Sequence, residues 1–312
     1  MSGKVPMSQR VGFIGLGAMG LPMTRILAGE GHDLRVYDLD PAARATAADI
    51  PGVTPAKDRA AVAREVEVLF TCLPNDKVLQ EAYLGTGGIA EAVAAGTITI
   101  DCSTVSPSAT QEVGAALAAR GASHLDASML GSVPQAETGE IGFVVGGERA
   151  ACEAVAPLLD ALGRFRVYAG ASGAANRIKL IHQTLVAANA VAVAEAVALC
   201  LATDTDLDCF YEVVCQGGGF AHSRYFEKRV PRMRAGDYSP LFMLQLMKKD
   251  AALGGDLAVT AGLETPLLEQ VVARFEAALE QGRGEEDFSA VARLYEAALG
   301  RTFAEDAAGE EA

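Results

Sequence analysis

The chain of 312 residues has no tryptophan, only four histidines, and fewer basic than acidic side chains. Lysine and arginine total 26 against 40 aspartates and glutamates, for a net charge of -14. Nucleic-acid surfaces need clustered basic residues to meet the phosphates, so this balance argues against a nucleic-acid partner. The few histidines and cysteines show no metal-ligand spacing, and the sequence therefore predicts no metal site.

The chain also lacks the features of exported and membrane proteins. Its six cysteines, at 72, 102, 152, 200, 209 and 215, include no C-x-x-C pair, and we expect them to be reduced thiols in the core of a cytoplasmic protein. Residues 1–9 have no apolar stretch of the signal-peptide kind. The most apolar run, about 184–202, is interrupted by Asn189 and Glu195, so we expect no membrane span.

What the chain does have is enough apolar sequence for two globular domains, with 50% hydrophobic and 21% charged residues. From residue 11 to about 170, strand-length apolar runs alternate with alanine-rich helical stretches, which predicts an α/β, doubly wound Rossmann sheet. We predict strands at 11–16, 34–38, 68–73, 97–101, 124–128, 142–145 and 165–168.

The alternation stops in the Gly/Ala/Ser stretch at 170–173. Beyond it the pattern predicts one long helix over 176–203, followed by helices near 206–215, 223–234, 243–262, 266–281 and 287–299. We therefore expect an NAD(P)-binding domain at 1–172 and an all-helical C-terminal domain at 173–312, with the long helix between them forming one wall of a ligand cleft.

A glycine motif lies at the end of the first predicted strand. Gly15, Gly17 and Gly20 form G-x-G-x-x-G, with Ala18 and Met19 inside it, and a helix is predicted to begin here. The first glycine permits a tight turn, the second lets the backbone approach a pyrophosphate, and the third allows helix and strand to pack closely. The motif predicts a dinucleotide site in which the helix N-terminus faces the phosphates.

Asp38 closes the next predicted strand, 18 residues after Gly20. A carboxylate at this spacing binds ribose hydroxyls and repels a 2′-phosphate, which favours NAD over NADP. Arg35 and Arg44 lie nearby and could turn toward a phosphate, so NADP stays open as the second cofactor.

Three further segments decide the class of enzyme: residues 101–107 (DCSTVSP), 126–132 (DASMLGS) leading to Thr138-Gly139, and 170–183 (GASGAANRIKLIHQ). Together with the glycine motif, their order and spacing resemble the β-hydroxyacid dehydrogenases, a family that includes 3-hydroxyisobutyrate dehydrogenase, tartronate semialdehyde reductase and L-threonate dehydrogenase. The resemblance extends from residue 11 to about 299 and includes the pair Lys249-Asp250.

The resemblance implies that Lys179 is the catalytic general acid/base. The chemistry is reasonable independently, because hydride loss from an alcohol carbon must be matched by loss of the hydroxyl proton, and lysine can exchange that proton. Gln183 lies at i+4 from Lys179 and shares its helix face, so both can reach one substrate. Gln at this position, after His182, resembles the threonate and tartronate enzymes, whereas 3-hydroxyisobutyrate dehydrogenases usually carry Asn.

The chain departs from the family in its substrate segment. Many members have Ser-Gly-Gly where this chain has Leu130-Gly131-Ser132, and leucine cannot donate the hydrogen bond that the serine hydroxyl gives to the substrate carboxylate. Either Ser132 and the amides of Gly131 and Ser132 bind the anion, or the substrate is larger or less polar. Ala175 also replaces a frequent family glycine in the boundary loop.

The remaining expected site residues flank the cofactor and substrate. The resemblance places Lys249 near the substrate or cofactor. Ser103 and Thr104 follow a predicted strand, and ligands of open α/β sheets bind beyond the carboxyl ends of strands, so we expect them at the nicotinamide end. Leu73-Pro74 resembles the family segment that lines the adenosine side.

These observations predict an enzyme that transfers a hydride between NAD(P) and a small 3-hydroxy acid or its semialdehyde. An imine reductase-like NADPH enzyme and a non-catalytic cofactor-binding module are the alternatives, and the retained Lys179 argues against both. The substrate is expected to be a small carboxylate. The family resemblance and the long apolar helix predict a homodimer or homotetramer.

Overall fold

The computed structural model describes residues 8–217 and 219–304. Contacts between residues divide it into two compact units, the first ending at Lys179 and the second beginning at Leu180. The predicted boundary at 172–173 lies a few residues earlier and stays a prediction. Residues 1–7, on which part of the expectation about export depended, lie outside the described residues.

The first unit contains a single eight-stranded sheet with the strand order β3-β2-β1-β4-β5-β6-β7-β8. Its first six positions follow the doubly wound order of dinucleotide-binding proteins. The strands are β1 (Arg10–Ile14), β2 (Asp33–Tyr37), β3 (Val53–Pro55), β4 (Val68–Thr71), β5 (Ile98–Asp101), β6 (Ser123–Leu130), β7 (Ile141–Gly146) and β8 (Gly163–Gly170).

Strands β1 to β6 are mutually parallel, but β7 is antiparallel to β6, and β8 is parallel to β7. The alternation of strands and helices, which is typical of a parallel sheet, therefore does not describe this edge. The reason is the length of the connection, since only residues 131–140 separate β6 from β7. A parallel crossover needs a dozen or more residues, whereas an antiparallel return does not.

Helices cover the sheet on both faces. Along β4, Val68 and Phe70 belong to one buried cluster and Leu69 belongs to another, as expected when successive side chains point to opposite faces. The helices of this unit are α1 (Gly20–Gly29), α2 (Pro41–Ala48), α3 (Arg59–Glu65), α4 (Asp76–Leu84), α5 (Ile89–Ala92), α6 (Pro107–Ala118), α7 (Val133–Thr138), α8 (Arg149–Ala154) and α9 (Ala156–Leu162).

The long helix α10 (Ala174–Ala202) begins in the first unit and continues into the second. The described residues of the second unit are otherwise helical: α11 (Leu207–Gln216), α12 (Arg224–Arg234), α13 (Leu244–Thr260), α14 (Pro266–Glu280), a 3-10 helix (Phe288–Ala292) and α15 (Arg293–Leu299). Their buried side chains form one core with those of α10. The fold is thus the predicted Rossmann sheet followed by an all-helical part.

Helix α10 is long and apolar enough to cross a membrane, with a mean hydropathy of 2.1 over its most apolar window, but half of that window is buried inside the protein. Core helices of water-soluble proteins have the same length and composition. In α10, Ala187, Ala190, Ala194 and Val197 belong to the core of the second unit. Packing within the protein thus accounts for the buried half of this apolar sequence, whereas Ile181, Leu185 and Leu199 of α10 are exposed.

All six cysteines are free thiols, but the expectation that they are core residues is only half correct. Cys102, Cys152 and Cys200 are buried, whereas Cys72 and Cys215 are half-buried and Cys209 is exposed. Cys209 lies in the first turn of α11, on the face that is turned away from the core. The apolar residues next to Cys209 in sequence do not show whether it lies on the buried or the exposed face of α11.

Candidate active site

The three glycines of the motif have different surroundings. Gly15 has a φ of 95°, and a Cβ there would collide with the carbonyl oxygen of Cys72. A Cβ on Gly20 would collide with the carbonyl oxygen of Gly15. Gly17, in contrast, has no atom within 4 Å of a Cβ position, and it is exposed. Gly15 and Gly20 therefore make the turn between β1 and α1, while Gly17 leaves its backbone accessible.

The start of α1 fits the phosphates of a dinucleotide. Ala18 is exposed and Met19 is half-buried, and Met19 provides no side-chain cap for the helix. Helix α1 has ten residues and no acidic side chain in its first turn. Its N-terminal amide groups and the positive end of its dipole are suited to an anion at the surface that Gly17 keeps open.

Asp38 is fixed beside this turn by two hydrogen bonds. Its Oδ2 accepts from the backbone N–H of Leu16 at 2.6 Å, and its Oδ1 accepts from the backbone N–H of Asp40 at 2.8 Å. The carboxylate is half-buried and keeps free lone pairs on both oxygens, as a ribose ligand requires. The predicted pairing of Asp38 with the glycine turn is thus a direct contact.

The two nearby arginines differ in position. Arg35 forms ion pairs with Asp33 at 2.8 Å and Glu65 at 3.1 Å. Arg44 donates to the backbone carbonyl oxygen of Asp38, and its guanidinium lies 5.5 Å from the ring centre of Tyr37. Arg44 is therefore the arginine that lies beside Asp38.

The hydroxyl of Ser103 joins two strand ends instead of facing outward. It accepts from the backbone N–H of Leu73 at 2.8 Å and donates to Oδ1 of Asp101 at 2.6 Å. Ser103 is buried, whereas Thr104 and Leu73 are half-buried and Pro74 is exposed. Ser103 thus holds Leu73-Pro74 at the carboxyl end of β4, and Thr104 is the more accessible hydroxyl of the pair.

Asp101 is a buried carboxylate whose role no pattern in the sequence indicated. Its Oδ1 also accepts from the hydroxyl of Thr71 at 2.7 Å, while its Oδ2 is buried without a hydrogen-bond partner within the described residues. Burial, with a smaller contribution from Asp126, raises the pKa of Asp101 to about 6. The hydrogen bonds from Ser103 and Thr71 act in the opposite direction.

Asp126 holds the first turn of α10. Its Oδ1 accepts from the backbone N–H of Gly173 at 3.0 Å, and its Oδ2 accepts from those of Ala175 at 2.9 Å and Asn176 at 3.2 Å. These bonds satisfy N–H groups that have no partner inside a helix. Burial raises the pKa of Asp126, although the same hydrogen bonds oppose the shift. Ala175, in place of the family glycine, does not disturb the cap.

Asn176 adds a second attachment of α10 to the sheet. Its amide nitrogen donates to the hydroxyl of Thr110 at 2.6 Å, and its Oδ1 accepts from the hydroxyl of Ser128 at 3.1 Å. Lys179 follows three residues later and is only 8% exposed. The backbone that carries Lys179 is therefore fixed by side chains of β6 and α6.

Gln183 and Lys249 both contact Asp250. The Gln183 amide donates to Oδ2 of Asp250 at 2.7 Å, and the Lys249 ammonium lies 3.0 Å from Oδ1. Asp250 is buried, and it links helix α10 to helix α13. The Lys249-Asp250 pair is evident in the sequence, but nothing in the sequence relates position 250 to position 183. His182 is exposed, and its Nδ1 lies 3.2 Å from Oε1 of Gln183.

The donors of Ser132 are already engaged. Its backbone N–H and its hydroxyl both donate to Oε1 of Gln135, each at 2.9 Å, in a capping box at the start of α7. Leu130 is half-buried at the end of β6, and Gly131 is exposed with a φ of 144°. The prediction that Ser132 binds an anion would require this capping box to open.

No group of three or more His, Cys, Asp or Glu side chains in residues 8–217 and 219–304 is arranged to hold a metal ion.

Known protein families match almost the whole chain. The NAD-binding domain of 6-phosphogluconate dehydrogenase matches residues 10–173, and the NAD-binding domain of NADP-dependent 3-hydroxyisobutyrate dehydrogenase matches residues 173–295. The glycine turn, the Asp38 carboxylate and these matches define an NAD(P)-binding oxidoreductase with a Rossmann fold.

Characterised relatives define the family. The NAD-dependent L-serine dehydrogenase of Pseudomonas aeruginosa is 32% identical over 94% of this chain and 100% of its own length, and the 3-sulfolactaldehyde reductase of Escherichia coli is 33% identical over 94% and 97%. The structure of Mycobacterium tuberculosis 3-hydroxyisobutyrate dehydrogenase with L-serine has a TM-score of 0.84 at 28% identity, covering 92% of this chain and 99% of that one.

The chain belongs to the β-hydroxyacid dehydrogenase family. It is an NAD(P)-dependent dehydrogenase that acts on the CH–OH group of small hydroxy acids, which confirms the prediction from the sequence.

Proposed function

We propose that Lys179 is the general acid/base of this dehydrogenase. The observation that supports this role most directly is the combination of burial and fixed position, because Lys179 is 8% exposed and follows a helix turn held by Asp126 and Asn176. A proton-transferring group must keep a defined position relative to the reacting hydroxyl, and a helix anchored in this way provides one.

The proposed proton transfer follows from the balance of the reaction. When the alcohol is oxidised, its carbon loses a hydride and its oxygen loses a proton, which the Lys179 amine accepts on Nζ. When the carbonyl compound is reduced, the Lys179 ammonium returns that proton to the oxygen. A nicotinamide cofactor held at the Gly17 turn would supply the hydride chemistry, as the acceptor in oxidation and the donor in reduction.

For the cofactor, we propose NAD in preference to NADP. The Gly17 backbone and the N-terminus of α1 would bind the pyrophosphate, with Ala18 and Met19 at the same turn. The free lone pairs of Asp38 would accept the ribose hydroxyls, and its charge would disfavour a 2′-phosphate. Leu73, Pro74 and Thr104 would line the cofactor, with Ser103 holding Leu73 in place.

For the substrate, we propose a small hydroxy acid with one anionic group. The relatives are named for L-serine, 3-sulfolactaldehyde and 3-hydroxyisobutyrate, each of which carries a carboxylate or a sulfonate. Gln183 lies one helical turn beyond Lys179, and its amide is oriented by Asp250, so its carbonyl oxygen would accept from a substrate hydroxyl. Lys249, held by the same carboxylate, would add a positive charge for the anion.

The reaction is tested by incubating the purified protein with NAD or NADP and a panel of L-serine, 3-hydroxyisobutyrate, L-threonate and glycerate. Formation of reduced nicotinamide is followed by absorbance, and the proposal expects one member of the panel to be oxidised with NAD. The absence of oxidation with every hydroxy acid, together with the absence of reduction of their semialdehydes, would contradict it.

We further propose that the enzyme is a homodimer or homotetramer. An apolar groove of about 500 Å³ lies along α10, α13 and α14, and it exposes Ile181, Leu185, Leu263 and Leu267, with Leu185 at 70% exposure. Exposed apolar surface of this kind is usually covered by another protein surface. Light scattering should give the mass of at least a dimer, and Leu185→Glu should shift the mass toward the monomer.

We propose a cytoplasmic location on the basis of the six free cysteines, since a reducing compartment keeps thiols unpaired. Recovery of the activity in the soluble intracellular fraction, and not in exported fractions, is the expected result.

A further inference from the structure

Gln135 is oriented by Ser132 so that its amide oxygen faces the capping box and its amide nitrogen, Nε2, faces away from it. The backbone N–H of Ser132 can only donate, so the atom that faces it at 2.9 Å must be the carbonyl oxygen of Gln135 and not its nitrogen. The Ser132 hydroxyl occupies the same oxygen at 2.9 Å. The two N–H groups on Nε2 of Gln135 donate to no partner within the described residues, and the side chain is half-buried.

The same side chain lies against the segment that replaces the family's serine. A Cβ on Gly131 would be 3.2 Å from Cβ of Gln135 and 3.7 Å from its Oε1, so the Gln135 side chain runs directly alongside Gly131. The side chain of Leu130 has no donor, and both side-chain and backbone donors of Ser132 are engaged. In this segment the free side-chain donor is therefore the amide of Gln135.

The choice between glutamate and glutamine at position 135 distinguishes a capping role from an anion-binding role. A capping box needs an acceptor at the third helical position, and glutamate provides it as well as glutamine does. Only glutamine also has N–H donors, which are what an anion requires. The capping role alone thus leaves the choice between Glu and Gln open, whereas an anion beside Gly131 requires Gln.

We propose that the side-chain amide of Gln135 binds the anionic group of the substrate and determines specificity for anionic substrates in place of the missing serine hydroxyl. This proposal rests on the proposed function, because it assumes that the segment from Leu130 to Gln135 meets the substrate. The amide donates through Nε2, and the exposed backbone of Gly131 allows a carboxylate or sulfonate to approach closely.

The test compares the whole enzyme with Gln135→Glu and Gln135→Ala. Glu keeps the acceptor for both Ser132 donors and replaces the free N–H groups by a charged oxygen, whereas Ala removes the cap as well. Glu137→Gln is the matched control, because it changes the charge by one on the same helix at an exposed position. Thermal unfolding reports whether the capping box is retained.

Binding is measured separately from turnover. Each protein is loaded with NADH and titrated with 3-hydroxyisobutyrate, L-threonate and malonate by calorimetry, because an alcohol or a dicarboxylate cannot react with the reduced cofactor. A hydrogen bond to a charged group changes affinity by about ten- to a hundred-fold, so Gln135→Glu should weaken binding at least tenfold. Its thermal unfolding and its NADH affinity should stay unchanged, as should anion binding by Glu137→Gln.

Anion affinity within about twofold of wild type in Gln135→Glu would overturn the proposal, and so would a wild-type enzyme that binds none of the three anions. A loss of anion binding only in Gln135→Ala would identify Gln135 as a cap alone, which also overturns it. Failure of the proposed reaction would give a different result: no hydroxy acid would reduce NAD, although anion binding could still depend on Gln135.

Discussion

The carboxylate of Asp38 accepts a 2.6 Å hydrogen bond from the backbone N–H of Leu16, which joins the residue after β2 to the glycine turn after β1. Asp38 therefore has two functions in the same turn. It holds the turn through one oxygen lone pair, and it presents the remaining lone pairs and its charge to the ribose. A variant that separates these functions is the most informative test of cofactor choice.

Asp38→Asn should reduce the preference for NAD over NADP while keeping the turn intact. The amide oxygen still accepts from Leu16, the amide nitrogen gives up the bond from the Asp40 N–H, and the charge that repels a 2′-phosphate is removed. At about 4 Å and an effective dielectric constant near 20, that repulsion is on the order of 4 kcal/mol. We expect the ratio of kcat/KM for NAD to that for NADP to fall at least about tenfold.

Asp33→Asn is the control, since Asp33 lies at the opposite end of β2 and pairs with Arg35. The same charge change there should leave the ratio unaltered. A wild-type enzyme that prefers NADP would contradict the assignment of Asp38 and would instead suggest that Arg44 binds the phosphate.

Lys179→Ala should lower kcat by at least about 10²-fold without weakening cofactor binding, because general acid/base catalysis typically contributes roughly 10² to 10⁴. Steady-state kinetics measures the first effect and calorimetric titration with NADH the second. Arg177→Ala, an exposed change two residues away on the same helix, should have nearly wild-type turnover. Normal turnover of Lys179→Ala would remove Lys179 from the mechanism.

Leu130→Ser should improve activity on the smallest hydroxy acids, such as glycerate and 3-hydroxyisobutyrate. The new hydroxyl provides a second donor for the anion, worth about ten- to a hundred-fold in kcat/KM. Larger or less polar substrates should lose efficiency, because they lose the apolar contact with leucine. An unchanged ranking of substrates, in a variant that folds normally, would mean that Leu130 does not face the substrate.

Asp101→Asn should change how stability depends on pH. Because burial raises the folded-state pKa of Asp101 to about 6, the folded protein binds this proton more tightly than the unfolded chain does. The wild type therefore loses stability as pH rises from about 4 through about 6, by on the order of 2 to 3 kcal/mol from this group. Asn keeps the acceptor for Thr71 and Ser103 and cannot ionise.

Urea unfolding at several pH values between about 4.5 and 8 measures this effect. The stability of Asp101→Asn relative to wild type should increase with pH across this range and level off above about pH 7. A difference that is constant with pH would show that Asp101 does not titrate there, and a decrease would show that its pKa is lowered.

The features that could be predicted from the sequence are those that depend on residues close together along the chain. Gly15, Gly17, Gly20 and Asp38 form one short motif, and the structure places Asp38 in direct contact with that turn. Strand β3, with three residues, is too short for a periodic pattern and was missed. Strand β7 is antiparallel because the connection from β6 is too short for a parallel crossover, and a hydrophobic pattern does not reveal this.

The unpredicted parts of the site depend on contacts between distant positions. Asp250 meets Gln183 across 67 residues, and Asp126 meets the start of α10 across about 50. For Ser132, the competing acceptor is only three residues away, and the capping box S-x-x-Q is a local motif of the sequence. This local motif would have shown that the Ser132 hydroxyl is engaged.

The cap that Asp126 places on α10 also bears on how such enzymes diversify. The proposed proton-transferring residue, Lys179, follows directly from that cap and belongs with the Rossmann sheet, whereas Gln183 and Lys249 are tied to each other through Asp250. An exchange of sequence after Lys179 would thus transplant Gln183, Asp250 and Lys249 as one set, and leave Lys179 and the proposed anion-binding Gln135 with the Rossmann sheet. A chimaera of two relatives, joined on α10 between Lys179 and Gln183, would therefore recombine this part of their substrate specificity.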